Sequence, residues 1–288
     1  MNIRSVTTAD AENVGQVIYK AFCGIADRHN FPRDFPTVEA AMQMAAMCAE
    51  NPNVTGFVAE NGGGEFLGSN FLWRHNSIGG VGPVTVDPNA QAKGVGKSLM
   101  RAVIEAGHDA SGIRLVQDAF NPVSMSLYAG LGFAVVEPLV IMQGVPAGDQ
   151  SKSPETHVRP IVETDLAACG ELCEKIHGFD RLNELKETSK IFPSFVAERE
   201  NRIVAYAAAP NFWQFNHAVA ENAEDMKKLL ACAANTTKQP LAFLLPTRQS
   251  ELFRWCLAQK LKVVKPMNLM AMGKYQEPCG AFLPSVLY

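Results

Sequence analysis

The sequence predicts an α/β fold, of the α+β kind with a mixed sheet, in two consecutive domains. Three observations carry that reading. The chain has 288 residues, more than one domain of ordinary size uses. Its apolar residues switch repeatedly between helical spacing and short extended runs. It also repeats itself. "FAVVEPLVIMQG" at 133–144 and "LKVVKPMNLMAMG" at 261–273 share a Val-Val pair and a proline 128 residues apart. "FVAE" at 57–60 recurs at 195–198, a separation of 138, and "NIRSVTTAD" resembles "HVRPIVETD", which puts Arg4 and Arg159 155 residues apart. The matches keep their order, as a duplicated domain requires. The Pro-, Ser- and Gly-rich stretch "PAGDQSKSPET" at 146–156 is the expected linker, so the domains are expected at 1–146 and 156–288. The separation falls from 138 to 128, so the second half is shorter by about ten residues between those two matches.

In the first half, "IRSV" reads as a strand, and Val14, Val17, Ile18 and Phe22 give "DAENVGQVIYKAFC" helical spacing. "VEAAMQMAAMCAE" is a second helix. "VTGFVAE", "EFLGSNFLWR" and "GGVGPVTVD" are strands, and the glycines at 79, 80 and 82 mark a turn and irregular pairing. Val95, Leu99, Ala102, Val103 and Ala106 form the buried stripe of the next helix. "IRLVQDAF" is a strand, "PVSMSLYAGLG" a helix ended by glycine, and "FAVVEPLVIMQ" one or two closing strands. Helices therefore cover a mostly antiparallel sheet.

Composition narrows the function. With 47% hydrophobic and 19% charged residues, each half can bury its own core. A net charge of −3, a pI near 6.1 and no run of Lys and Arg argue against a nucleic-acid or anionic-membrane partner. The N-terminus is polar and no apolar run is of bilayer length. Seven scattered cysteines fit a reducing, cytoplasmic setting.

The chemistry concentrates in "VDPNAQAKGVGKSLMRAV" at 86–103. A loop with few bulky side chains lets backbone N–H groups converge, and the helix that follows adds its positive end, which makes an anion site. Spacing excludes the nucleotide-binding phosphate loop and the dinucleotide fingerprint. The stretch does match Gln-x-x-Gly-x-Gly as Gln91-Ala92-Lys93-Gly94-Val95-Gly96, after a strand and an Asp87-Pro88 turn. About 25 residues on stands "NPVSMSLYAGLGF", with an Asn, a helix carrying a Tyr, and Gly-Phe entering a strand. Over residues 1–146 the chain thereby resembles the GNAT acyltransferases, which would make the molecule two tandem acyl-CoA N-acyltransferase-like domains. The resemblance implies that amides of residues 92–98 (Ala92, Lys93, Gly94, Val95, Gly96, Lys97, Ser98), with Gln91, hold the pyrophosphate of acetyl-CoA as cosubstrate. It implies too that Val84 and Val86 pair through backbone with the pantetheine arm, that Asn121 meets that arm near the thioester, and that Tyr128 stands beside the sulfur. Pro83, lacking an N–H, independently favours a strand that has parted from its neighbour.

Acyl transfer needs a base for the amine, a donor for the oxyanion and a proton for the thiolate. Tyr128 suits the last role, since a phenol with a reference pKa of about 10 stays protonated where a thiol of about 8.5 ionises. Many family members carry a Glu on the strand before the loop, but "SIGGVGPVTV" has no carboxylate. His75, Asp118, a water chain or attack by an already neutral amine are the alternatives.

In the second half, "NHAVAENAEDMKKLLACAA" has no glycine, and Glu221, Glu224 and Asp225 cluster where a pyrophosphate would lie. Like charges repel. Cys256 stands at the counterpart of Tyr128 and Lys260 at that of Gly132. This half is therefore expected to be degenerate, supporting the fold, walling the substrate groove or mediating self-association as a homodimer. Cys169, Cys173 and His177 share a helical face but read as core rather than metal ligands, and no metal is expected. "PNFWQFNH" at 210–217 reads as a core-facing hairpin.

The expected function is acetyl-CoA-dependent N-acetyl transfer to an amine of a small molecule or peptide by direct attack in a ternary complex. The acceptor would lie along residues 23–37 and 73–77, where Asp27, Arg28, His29, Arg33 and Asp34 mix both charges. A non-catalytic acyl-CoA-binding module is the rival, and a dimerisation protein that kept only the fold is a third.

Overall fold

The computed structural model describes residues 1–147 and 155–287, so residues 148–154 of the expected linker lie outside the described residues. The chain forms β1 (Asn2–Ser5), α1 (Ala11–His29), α2 (Val38–Glu50), β2 (Val54–Glu60), β3 (Phe66–Trp73), β4 (Ile78–Val81), β5 (Thr85–Val86), α3 (Val95–Ala106), β6 (Gly112–Asp118), α4 (Pro122–Ala129) and β7 (Ala134–Gly144). It continues with β8 (His157–Pro160), α5 (Leu166–His177), α6 (Leu182–Ile191), β9 (Phe195–Arg199), β10 (Arg202–Ala207), β11 (Ala218–Ala220), α7 (Ala223–Thr237), β12 (Leu241–Pro246), α8 (Ser250–Ala258), β13 (Lys262–Gly273) and β14 (Ala281–Leu283).

The first compact unit is, among the described residues, Met1–Ala134 together with Met270–Lys274 and Leu287; the second is Val135–Leu269 together with Tyr275–Val286. A single cut in the linker does not describe them. Each half gives its closing strand, wholly or in part, to the other unit, which spacing along the sequence cannot reveal.

In the first unit the strands run β1-β2-β3-β4-β6, followed by the end of β13. β1 through β4 are antiparallel neighbours, β1 and β2 being joined through α1 and α2 and the others by short turns, whereas β4 and β6 are parallel, from Ile78↔Gly112 to Val81↔Leu115. A parallel pair needs a crossover, and α3 supplies it. Val95 and Leu99 of α3 pack with Ala59 and Ala90. Met100 and Val103 join Leu72, Ile113, Leu115, Tyr128, Phe133 and Met270 in the main cluster. α1 runs six residues beyond the periodicity that announced it, to an Asn30 in the left-handed conformation (φ 56°), with Arg28 and His29 placed favourably at its negative end.

The second unit repeats this order of elements. Its sheet runs β14-β11-β10-β9-β8, and β12 pairs with β7 from Leu241↔Gly144 to Pro246↔Leu139. Cys169 and Cys173 lie in its apolar core beside Leu172, Ile176 and Tyr206. The 210–217 stretch is a turn rather than a hairpin, with Phe212 and Phe215 against Phe192. All seven cysteines are free thiols. Among the described residues no helix is long and apolar enough to cross a membrane, and no three His, Cys, Asp or Glu are grouped to hold a metal.

The duplication extends to one side-chain device. In the first half Arg4 donates to both Asp10 oxygens at 2.7 and 2.8 Å and to Glu60, while the Thr7 N–H donates to Asp10. In the second, Arg159 donates to both Asp165 oxygens at 2.6 and 2.8 Å and to Glu198, while the Val162 N–H donates to Asp165. Each guanidinium ties its first strand to the start of the first helix and to the neighbouring strand. Bidentate geometry makes these stronger than ordinary surface pairs. Hydrogen bonds from Arg4 hold the Asp10 carboxyl down at about 2. A carboxylate whose pKa falls on folding stabilises the fold above its unfolded value near 3.9, and that stabilisation is lost as pH drops toward 2. Asp10→Asn is therefore expected to cost about 1–2 kcal/mol at neutral pH and to flatten the fall in stability between roughly pH 4 and 2, read by urea denaturation across pH.

Candidate active site

The site begins where two neighbouring strands separate. β4 stays paired with β6 as far as Val81↔Leu115; Gly82 and Pro83 then interrupt the ladder, and β5 continues on β3 alone, through Gly68↔Val86 and Ser69↔Thr85. The Asp87 N–H donates to the Leu67 carbonyl. Strand alternation therefore turns the backbone groups of residues 85 and 87 toward β3 and those of Val84 and Val86 away from it, toward the fork.

At the end of β5, Asp87 accepts from the Asn89 N–H and starts a short 3-10 turn. Ala92 (φ 63°) and Gly94 (φ 81°) are both left-handed, and Gly94 caps α3 with no side-chain acceptor. The first helical amides are thus left for a ligand. Ser98 is an exception within the expected set, because its N–H donates to the Gly94 carbonyl at 3.0 Å. The expected anion cradle thereby narrows to the amides of residues 92–97. Lys93 and Lys97 are exposed beside it, the former donating to Asn89 O, while Gln91 ends the 3-10 turn and Val95 is buried. The two glycines serve different ends. A side chain on Gly94 would meet nothing but would strain the backbone; a Cβ on Gly96 would come 3.3 Å from Leu127 and 3.4 Å from Val86.

Asn121 caps α4, accepting from the Ser124 N–H through Oδ1, so its Nδ2 is what it can offer a ligand. Tyr128, on the same helix, is buried against Phe133. Burial, and then the negative charge of Asp118, push its phenol well above the usual tyrosine range. Asp118 ends β6. The structure brings Tyr128, Asp118 and Asn121 to one end of the sheet.

It does not bring His75 there. His75 is buried beside Trp73 in the β3–β4 turn, at the opposite end of β6, where Ser111 N–H donates to Ser77 O. Gly112 to Asp118 alone spans about 20 Å at about 3.3 Å per residue. The parallel β4–β6 pairing fixes that polarity, and periodicity does not report it. At the Asp118 end stands a different imidazole. Phe120 stacks on Phe31 at 4.2 Å and meets the His29 ring at 5.2 Å, so the end of α1 and the segment just after it wall this end of the site. Asp27 is held by Arg33 through two bonds of 2.8 and 2.6 Å. Phe120 was not singled out by the sequence, where one aromatic residue in "DAFNP" carries no pattern.

In the second half, the Asn222 side chain caps α7, accepting from the Asp225 N–H. Glu221 is paired with Arg202, Arg199 and Lys175, Asp225 with Arg199, and Glu224 with Lys227. These carboxylates are largely neutralised, so repulsion is not what distinguishes this helix start; one of its first amides, that of Asp225, is already capped. Lys260 keeps the left-handed turn of Gly132 (φ 69° against 102°), so that bend survives its glycine.

Residues 23–133 match the family described as Acetyltransferase (GNAT) family. No curated protein matches the sequence. Among solved structures, a Pyrococcus horikoshii protein described as an acetyltransferase aligns with 97% of this chain and 93% of its own at TM-score 0.71 and 18% identity. A GCN5-related N-acetyltransferase from Sphaerobacter thermophilus aligns over 97% and 98% at TM-score 0.62 and 14% identity. A tandem GNAT protein from the clavulanic acid biosynthesis pathway aligns over 99% of each chain at TM-score 0.59 and 14% identity. At these identities the likeness is one of fold.

Gly94→Val is expected to lower stability by about 1–2 kcal/mol through left-handed strain, with Gly94→Asn costing less. Gly96→Leu acts instead by forcing α3 from Leu127 and Val86. Thermal melts rank the three.

Proposed function

On the premise that residues 23–133 are an acetyltransferase domain of the GNAT family, we propose that the chain transfers an acetyl group from acetyl-CoA to an amine of a small molecule or peptide by direct attack in a ternary complex. The observation that carries this reading is the fork between β5 and β6 leading into an uncapped helix start. The outward backbone of Val84 and Val86 would pair with the pantetheine amides, and the amides of residues 92–97 would hold the pyrophosphate. Asn121 Nδ2 would donate to an arm carbonyl. The catalytic domain of this proposal is the first half, the second being degenerate.

The thioester would then lie between Tyr128 and Asp118. A buried phenol keeps its proton at any ordinary pH and serves as a hydrogen-bond donor to the departing thiolate. The same desolvation raises the thiolate's own proton affinity, which keeps the donation matched. Asp118 is the proposed acceptor for the amine proton, with His29 beside Phe120 as the nearer imidazole and the acceptor groove along residues 27–34. A non-catalytic acyl-CoA-binding module is the second reading, favoured by the absence of a carboxylate in 77–86.

Calorimetry with acetyl-CoA is expected to give one site per chain, lost when Gly94 and Gly96 are both made bulky; two sites, or none, would sink the reading. Tyr128→Phe should lower turnover about 100-fold with little change in acetyl-CoA affinity; unchanged turnover removes Tyr128 from the chemistry. In an acceptor-dependent assay, His29→Gln is expected to lower kcat/KM more than His75→Gln, and the reverse order would return His75 to the site.

A further inference from the structure

The two halves can be compared strand by strand at the fork. Through the shared Phe-Val-Ala-Glu strand, Phe57↔Asn70, Val58↔Ser69 and Ala59↔Gly68 correspond to Phe195↔Ala207, Val196↔Tyr206 and Ala197↔Ala205. Thr85 pairs with Ser69, and Val219 with Tyr206. Ala218 and Ala220 thus stand where Val84 and Val86 stand. The Glu221 N–H donates to the Val204 carbonyl, as Asp87 does to Leu67, so the backbone of Ala218 and Ala220 also faces away from the sheet's interior neighbour.

In the first half that edge is open among the described residues, since β5 pairs only with β3. In the second half it is taken. β14 pairs antiparallel with β11 through Ala218↔Leu283, Val219↔Phe282 and Ala220↔Ala281. A second contact follows the same correspondence. Gln249 lies at the counterpart of Asn121, 128 residues on, at the start of α8. Its side-chain amide donates to the Phe282 carbonyl at 2.6 Å and accepts from the Phe282 N–H at 3.1 Å. A primary amide that meets both backbone groups of one residue recognises peptide, whatever side chain that residue carries. Beyond the strand, Ser285 accepts from the wholly buried Arg181 at 2.7 Å and donates to Glu184 at 3.2 Å, and Val286 N–H donates to Gln214 O.

We propose that the second half is a peptide slot derived from the cofactor fork, occupied in cis by residues 281–286 of its own chain. Backbone groups of Ala218 and Ala220, with Gln249, read an extended peptide; Arg181 and Glu184 accept a hydroxyl residue three positions after the central Phe282. The proposal rests on the reading above only for what the first-half fork holds, since the peptide's place is drawn from strand pairing alone.

Amide hydrogen exchange on the full chain tests it, with coenzyme A as probe. Ala218 and Ala220 are expected to exchange at least about 100-fold more slowly than Val84 and Val86 and to be indifferent to coenzyme A, whereas Val84 and Val86 slow when it is added. Gln249→Ala should speed exchange at Phe282 about tenfold and leave Val58 unchanged. Fast exchange at Ala218 and Ala220, or their protection by coenzyme A, overturns the proposal. Slow Ala218 and Ala220 with Val84 and Val86 unmoved by coenzyme A sinks the acetyl-CoA reading and leaves this one standing. Replaceability is tested by placing a specific protease site in 275–279, cutting, and adding isotope-labelled peptide of residues 280–286. Incorporation into the cut chain supports the slot, and exclusion of the peptide while Ala218 and Ala220 stay protected overturns it.

Discussion

Backbone hydrogen bonding at one fork governs this molecule. Every buried N–H and C=O must find a partner, and a strand that leaves its neighbour exposes a row that has none. Gly82 and Pro83 impose that departure in the first half: β4 keeps its parallel partner, and β5 cannot. The open edge at Val84 and Val86 follows from that break, and the helix start lies just beyond it. The second half meets the same requirement internally, with β14. One backbone constraint therefore has two solutions within one chain.

What the sequence disclosed was local. Gly94 announces a left-handed cap because no other residue adopts that conformation as cheaply, and α3 follows from its apolar stripe. The repeat was also legible. Arg4 with Arg159 and Glu60 with Glu198 had been matched as letters, and they turned out to be the ends of the same ion-pair device. What stayed hidden depends on direction and on distant partners. His75 and Asp118 both sit near strand ends, and only the parallel β4–β6 pairing places those ends apart. Nothing in "AFL" at 281–283 announces the partner strand that β14 finds in β11.

The acidic start of α7 illustrates how charge is misread from sequence. Glu221, Glu224 and Asp225 look like a negative patch, yet Arg199 and Arg202 from β9 and β10 and Lys175 from α5 meet Glu221, Arg199 also meets Asp225, and Lys227 of α7 itself meets Glu224. Two of those partners precede the carboxylates by about twenty residues and one by more than forty. Count within a window is a poor guide to field where side chains of both signs converge. The cap by Asn222 is the more secure distinction between the two helix starts, because it occupies one of the donors itself.

The end of β13 belongs to the first compact unit, and Met270 is fully buried in the cluster that also buries Tyr128. A ribosome makes a chain from its N-terminus, and domains commonly fold as they emerge. This one cannot finish its first unit that way. The piece that completes the packing around Tyr128 is synthesised more than 130 residues after Ala134, so the core around the proposed reacting centre closes only once residue 270 has been made. A nascent chain stalled in the second half carries the Gly94–Gly96 loop and the tyrosine without the finished core around Tyr128.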